Sequence, residues 1–287
     1  MTHVNEAIKD PNLDVGPVYE IQTKAFGVFD YPFLTEMITK GGGKRVLDVG
    51  TGEGSFLIGL ARRCSGSFFQ GIDINEKLIE KGKANSARLG VSVDFSSLQF
   101  GVDPVGSDFD LILARFALEH LRDEDGMAAF LNQAYEKLAE NGTIVIIEYY
   151  ISDLDVEDGI WGEFRAREMA TYRKAGIHPR VASKLPSRLK AANFRNVRST
   201  INHISPSTVG DRNFYSLVIE FTKIYRQISR ETWPEKVVDE ILNWCEARQP
   251  VGEPVFFTTH TVGEKFNELS QGSNIDRSGL KTALPRK

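Results

Sequence analysis

The chain has 287 residues, enough to bury a full core and to carry one large domain with an elaboration. Hydrophobic residues make up 41% and charged residues 26%, and the formal net charge is -4, so the balance is that of an ordinary globular protein and gives no electrostatic reason to expect a nucleic-acid partner. Two cysteines, Cys64 and Cys245, are too few for a disulfide framework, no apolar run nears the roughly 20 residues of a membrane span, and the first residues lack a signal-peptide pattern; the expectation is a cytoplasmic protein without membrane insertion.

Residues 1–40 carry an aromatic stretch from Tyr19 through Phe26, Phe29, Tyr31 and Phe33. Gly16, Pro17, Gly27 and Pro32 punctuate residues 12–33 and predict two short helices. Such a segment has too little area to fold alone and must dock on something. The reading is a lid over a cleft, removable by deletion of residues 1–30 with the core still folded.

After Gly41 to Gly43 the pattern becomes regular. Arg45 to Val49 reads as a buried strand, followed by a glycine-rich turn and a helix with Phe56, Leu57, Leu60 and Ala61 inward. Phe68 to Ile72 is a second strand. Asn75 is placed to cap the next helix, whose apolar positions Leu78, Ile79, Gly82 and Leu89 share one face. Val91 to Phe95 and Phe109 to Ala114 are the third and fourth strands. A helix with Met127, Phe130, Leu131, Ala134 and Leu138 at helical spacing is predicted to stop at Asn141-Gly142, before a fifth strand over Thr143 to Ile147.

Strands alternating with helices predict a parallel sheet covered on both faces. Helices over Trp161 to Ala175 and Ser183 to Ala192 precede a sixth strand, Asn196 to Ile204. Two more helices, Asn213 to Ile228 and Pro234 to Ala247, precede a last strand over Val255 to Val262. The expected division is a lid over 1–40, a core over 41–204, a helical cap over 205–250, the last strand of the core at 251–268 and a disordered tail over 269–287.

The turn Asp48-Val49-Gly50-Thr51-Gly52-Glu53-Gly54 joins the first strand to the first core helix. Glycines at alternate positions let a ligand approach the backbone, and in a doubly wound sheet this turn lies where nucleotides bind. The dinucleotide fingerprint wants its third glycine one residue later, where Ser55 stands. Asp48 and Glu53 would repel a pyrophosphate but attract a ligand bearing an ammonium and a sulfonium. Asp73, ending the second strand, is placed to accept hydrogen bonds from ribose hydroxyls. Charge sign favours S-adenosylmethionine over NAD.

This stretch resembles motif I of the class I S-adenosylmethionine-dependent methyltransferases, and Gly71-Ile72-Asp73-Ile74 resembles motif II. Phe109 to Leu121 and Asn141 to Glu148 are similar to the family's fourth- and fifth-strand motifs, so the resemblance covers residues 44–150. It implies an α/β fold: a doubly wound, seven-stranded, mostly parallel sheet with an antiparallel last strand, plus the N-terminal lid and the helical cap insertion. It also implies a cofactor site of Tyr19, Asp48, Gly50, Gly52, Asp73, Ile74, Leu98, Gln99 and Arg115, in which Gln99 stands where the family usually has an acid.

Methyl transfer needs a positioned nucleophile and little covalent help from the protein, with a general base only for a protonated acceptor. The candidates are Glu148, His120 and Tyr150, at the ends of the fifth and fourth strands. Period-two alternation puts Glu148 and Tyr150 on one face and Tyr149 on the other. For Glu148 a salt bridge to Arg115 is the alternative; His178 and His203 read as a solvated loop residue and a structural one. Trp161, Tyr172, Tyr215, Trp233 and Trp244 could line a substrate pocket or merely pack helices.

From Arg165 to Arg198 there are ten basic residues against one acid, Glu168, after an acidic run of Asp153, Asp155, Glu157, Asp158 and Glu163. The two runs either neutralise each other or mark a carboxylate- or phosphate-bearing substrate or an acidic partner. No metal is expected, since Ala114-Arg115 stand where magnesium-dependent relatives have an acid and no cysteine–histidine cluster exists for zinc. The reading is therefore a methyltransferase acting on an O, N or C atom of a small molecule, with no nucleic-acid or membrane partner. Its oligomeric state is open, a homodimer being one arrangement. A cyclase or other non-methylating catalyst on the same fold is the alternative, and a regulatory protein without turnover fits the intact carboxylate and glycine set poorly.

Overall fold

The computed structural model describes residues 15–121, 124–150, 159–178, 180–248 and 254–266; the tail expected to be disordered and most of the acidic run fall outside them. Seven strands form one sheet: β1 (Arg45–Val49), β2 (Phe68–Asp73), β3 (Asp94–Ser97), β4 (Phe109–Arg115), β5 (Leu138–Tyr149), β6 (Arg195–Ile204) and β7 (Phe256–Glu264). Their order is β3-β2-β1-β4-β5-β7-β6. The first five run parallel, and β7 lies antiparallel between β5 and β6. This is the doubly wound sheet with an antiparallel last strand that the sequence predicts.

Alternation along the strands sends side chains to two cores. Leu47, Val49, Ile112, Ala114, Ile144 and Ile146 pack with residues of α4 (Glu124–Lys137) and α6 (Val181–Ala191). Val46, Leu111, Leu113, Val145 and Ile147 pack on the other face with residues of α1 (Gly16–Thr39), α2 (Ser55–Ala61) and α3 (Glu76–Leu89). Because β1 lies between β2 and β4, the chain leaves it in one direction and returns on its other side, which opens a crevice at the carboxyl ends of these strands.

The N-terminal segment corrects the expectation of two short helices. Residues 16–39 are one helix running through both Gly27 and Pro32. Burial on either side outweighs the missing Pro32 N–H: Ala25 and Phe26 are fully buried on one side of it, Leu34 and Ile38 on the other. Gly27 is a packing notch, since a Cβ there would lie 2.8 Å from the Tyr31 ring.

Helix α4 also ends earlier than predicted, at Lys137, and Leu138 already pairs with Phe109 of β4. Asn141, with φ of 61°, lies in an irregularity of β5 between the Leu138 and Thr143 pairings, so Asn141-Gly142 kinks a strand instead of stopping a helix. Strand β3 starts at Asp94, not Val91. On α3, Asn75 accepts hydrogen bonds from Lys77 N and Leu78 N as predicted, but Leu89 is exposed. Ser86 takes its place in the interior by donating to the Val91 carbonyl.

The remaining helices are α5 (Gly159–Ala175), α7 (Pro206–Val209), α8 (Asp211–Ile228) and α9 (Glu235–Ala247). Residues of α5, α8, α9 and the first half of α1 share a third core rich in aromatics, including Trp161, Phe164, Phe214, Phe221 and Trp233. The helical cap is thus assembled from three separate stretches of chain, and it sits over the carboxyl end of β5, where Tyr149 joins the same core.

Candidate functional site

The turn after β1 is shaped by backbone needs. Gly50 has φ of 76° and donates to the Ile72 carbonyl at 2.9 Å; a Cβ there would stand 2.7 Å from the Ala117 side chain. Gly52, also at positive φ, donates its N–H to Asp73 Oδ2 at 2.9 Å, and the Tyr19 ring faces it across the crevice. Asp73 Oδ1 accepts from Asn75 N at 2.9 Å. One carboxylate therefore ties the glycine turn to the start of α3.

Asp48 is buried at the end of β1, and its Oδ1 has no partner among the described residues. Burial pushes its carboxyl up to about 6. An orphaned buried oxygen beside a glycine cradle suits a ligand's ammonium group. Because the folded value is raised, the neutral carboxyl's contribution to stability is present below about pH 4 and is lost as pH rises through about 6. Melting curves from pH 4 to 8 should fall more steeply in the ligand-free protein than in Asp48→Asn.

These groups line a cavity of about 880 Å³. All nine residues expected to hold the cofactor stand along it: Tyr19, Asp48, Gly50, Gly52, Asp73, Ile74, Leu98, Gln99 and Arg115. Ile74, Leu98 and Gln99 are on the β2–β3 side; Gln99 N is held by Asp103 Oδ2 at 2.7 Å, which fixes that loop. Arg115 is turned away from Glu148. Its Nε donates to Asp30 Oδ2 at 2.9 Å and Nη2 to the Gln22 carbonyl at 3.2 Å, with the guanidinium over the Phe56 and Phe116 rings. The salt bridge entertained for Glu148 is not made.

The three catalytic candidates separate. His120 lines the cavity; Glu148 and Tyr150 do not. Glu148 is fully buried on the α4–α6 face, and its Oε1 accepts from Ala117 N at 3.0 Å and Leu118 N at 2.7 Å. It caps the single 3-10 turn Leu118–His120, and so sets where Glu119 and His120 stand. Tyr150 is held at the strand's end by its N–H to the Phe257 carbonyl. Burial holds His120 down to about 4, hence neutral at neutral pH.

Sequence reasoning missed Glu119 and Tyr149, which both line the cavity. The signals were present: Glu119 is the neighbour of His120, and Tyr149 is the residue that period two sends to the α1 face. Its hydroxyl accepts from Gln22 Nε2 at 3.1 Å. Of the five aromatics proposed for a pocket, Tyr172 lines it, while Trp161, Tyr215, Trp233 and Trp244 do not. His178 donates its backbone N–H to the Glu119 carbonyl, and the exposed His203 sits against Phe257 on β6.

Several bases of the 165–198 stretch are taken up by acids outside the cavity. Arg167 pairs with Glu163, Lys174 with Glu231, Lys184 and Arg188 with Glu124, and Arg198 with Glu264. Among the described residues no group of three or more His, Cys, Asp or Glu could hold a metal ion, and no helix is long and apolar enough to cross a membrane.

Comparison with known proteins agrees with this geometry. A family model described as a methyltransferase domain matches residues 31–199, more than half of the chain. The chain belongs to that family. Curated relatives include the ribosomal protein L11 methyltransferase of Dictyoglomus turgidum, 35% identical over 100 residues, or 33% of each chain. The ubiquinone biosynthesis O-methyltransferase of Hahella chejuensis is 34% identical over 89 residues, 30% of this chain and 37% of the relative. The match thus spans about a third of these relatives' length. Among solved structures, Haemonchus contortus phosphoethanolamine N-methyltransferase 2, bound to phosphomonomethylethanolamine and S-adenosylhomocysteine, superposes with a TM-score of 0.62 at 12% identity, over 93% of this chain and 61% of that one. The cyclase SpnF superposes with a TM-score of 0.53 at 18% identity, over 82% and 80%. At such identities the likeness is one of fold.

Proposed function

We propose that the protein transfers the methyl group to a nucleophilic atom of a small molecule held between the carboxyl edge of the sheet and helices α1, α5 and α8. The observation that carries this reading is the continuity of one cavity from the glycine turn to Tyr149, Tyr172 and Tyr225. Its 880 Å³ is near the upper end of the range typical of small-ligand pockets, roughly 300–1,000 Å³, which fits a cofactor and a modest acceptor together.

Within that cavity Asp48 would meet the amino group of the methionyl part, Asp73 the ribose, and Ile74 and Leu98 the adenine. S-adenosylmethionine supplies an electrophilic methyl on a positively charged sulfur. The chain's own contribution is position and dryness: α1 and α8 cover the crevice, and neutral His120 can accept a proton from an acceptor O–H or N–H. Basic groups are scarce here. Among the described residues lining the cavity only Arg115 and Lys77 are cationic, and Arg115 is committed to Asp30, which does not support a carboxylate- or phosphate-bearing acceptor.

The test is incubation of the purified protein with S-adenosylmethionine and a panel of amines, phenols and alcohols. Formation of S-adenosylhomocysteine together with a product heavier by one methyl group is expected. A product of unchanged mass would favour a non-methylating catalyst instead.

A further inference from the structure

The cavity contains a buried acid without a counterion. Glu119 is 6% exposed and lines the cavity, and its carboxylate accepts no hydrogen bond among the described residues; the nearest charged partner is His120 Nε2 at 3.8 Å. That imidazole is held neutral by burial, so it supplies no balancing charge. Arg165 is bound to Glu168, deeper in the cap. Burial and the nearby carboxyls of Glu148 and Glu168 raise the Glu119 carboxyl well above the usual range.

The surroundings are aromatic, and their polar tips point elsewhere. Tyr225 Oη donates to Glu168 Oε1 at 2.8 Å, and Tyr172 Oη lies 2.9 Å from Tyr225 Oη. Tyr149 Oη is engaged by Gln22. The rings pack against further aromatics, Tyr149 on Phe116 and Tyr225 on Phe221 and Trp233, so this part of the cavity has an apolar wall. An unpaired carboxylate on an aromatic-lined cavity is suited to a cation, because it supplies the opposite charge in a site that water reaches poorly.

Building on the methyltransferase reading, we infer that the acceptor is an amine, bound as its ammonium ion by Glu119 in the cavity that Tyr149, Tyr172 and Tyr225 also line. Glu119 takes one proton from the ammonium and frees the nitrogen lone pair. The lone pair forms the N–CH3 bond as the S–CH3 bond breaks, and both electrons of that bond stay on sulfur, which leaves as a neutral thioether. The product is a methylated ammonium ion, and Glu119 returns its proton to water once the product departs.

The probe is choline against its neutral carbon isostere 3,3-dimethylbutan-1-ol, titrated calorimetrically into protein saturated with S-adenosylhomocysteine. Choline is expected to bind at least about tenfold more tightly than the isostere, and Glu119→Gln should abolish that preference while leaving S-adenosylhomocysteine affinity within about threefold. Glu119→Asp should restore part of it. Equal binding of the two probes, no binding of choline at millimolar concentration, or an unchanged preference in Glu119→Gln overturns the inference. So does a Glu119→Gln protein that loses affinity for S-adenosylmethionine much more than for S-adenosylhomocysteine, because the carboxylate would then serve the sulfonium. Failure of S-adenosylhomocysteine to bind the unaltered protein is a separate result, and it strikes the methyltransferase reading itself.

Discussion

Replacing Asp30 with alanine is expected to destabilise the protein by about 3–5 kcal/mol, a fall in Tm on the order of 10 °C. Asp30 is fully buried in the middle of α1. Its Oδ2 accepts from Arg115 Nε at 2.9 Å, and its Oδ1 lies 2.7 Å from His260 Nε2 on β7. One carboxylate thus joins the N-terminal helix to the end of β4 and to β7. Removing it leaves the Arg115 guanidinium, only 9% exposed, without its ion partner, and a buried charge stripped of its partner is far costlier than the pair was worth. Asp30→Asn keeps one oxygen and should lose less, because Arg115 retains an acceptor. Thermal and urea unfolding of the three proteins would measure this, and an alanine variant within about 1 kcal/mol of the parent would show that α1 is not anchored there.

The same contact changes what the N-terminal helix can do. A lid that could be deleted through residue 30 would take Phe26 and Asp30 with it, so the truncated chain should unfold, contrary to the expectation of an intact core. Asp30, Leu34 and Ile38 belong to the interior. Only the first half of α1, where Val18, Tyr19 and Gln22 reach the cavity, is placed to respond to a ligand.

What the sequence showed and what it concealed divide along physical lines. The sheet was legible because parallel strands buried on both faces are short apolar runs, as at Phe109 to Ala114. The glycine turn was legible because Gly50 and Gly52 stand at positive φ, which favours glycine. Long-range pairing was not legible: nothing around Asp30 announces that Arg115, 85 residues away, will need it. Glu148 shows the same limit. Its position at the end of a strand suggested chemistry, whereas its oxygen is spent on the backbone of the turn after β4. Gly27 and Pro32 misled because their local preference was weighed without the burial of Phe26 and Leu34 on either side.

Replacing Asp73 with alanine should weaken cofactor binding by at least about 300-fold, more than the loss of ribose contacts alone would give. A charge-assisted hydrogen-bond pair to the ribose contributes about 1.5–3 kcal/mol. Asp73 also accepts from Gly52 N and Asn75 N, so alanine leaves two backbone donors without their acceptor and frees the glycine turn from the start of α3. The turn must then be ordered by the ligand itself, and that ordering is subtracted from the binding energy. The carboxylate has room for both duties, since two oxygens can accept about four hydrogen bonds and Gly52 N and Asn75 N supply two. Asp73→Asn separates the contributions. Its single amide oxygen can keep the Gly52 bond but presents donors where the carboxylate presented acceptors, so it should hold the turn and still lose the ribose. Calorimetric titration with S-adenosylhomocysteine is the measurement, with hydrogen exchange at Gly50 to Gly54 as its companion. Affinity within about threefold of the parent in the alanine protein would mean that Asp73 neither holds the ribose nor orders the turn.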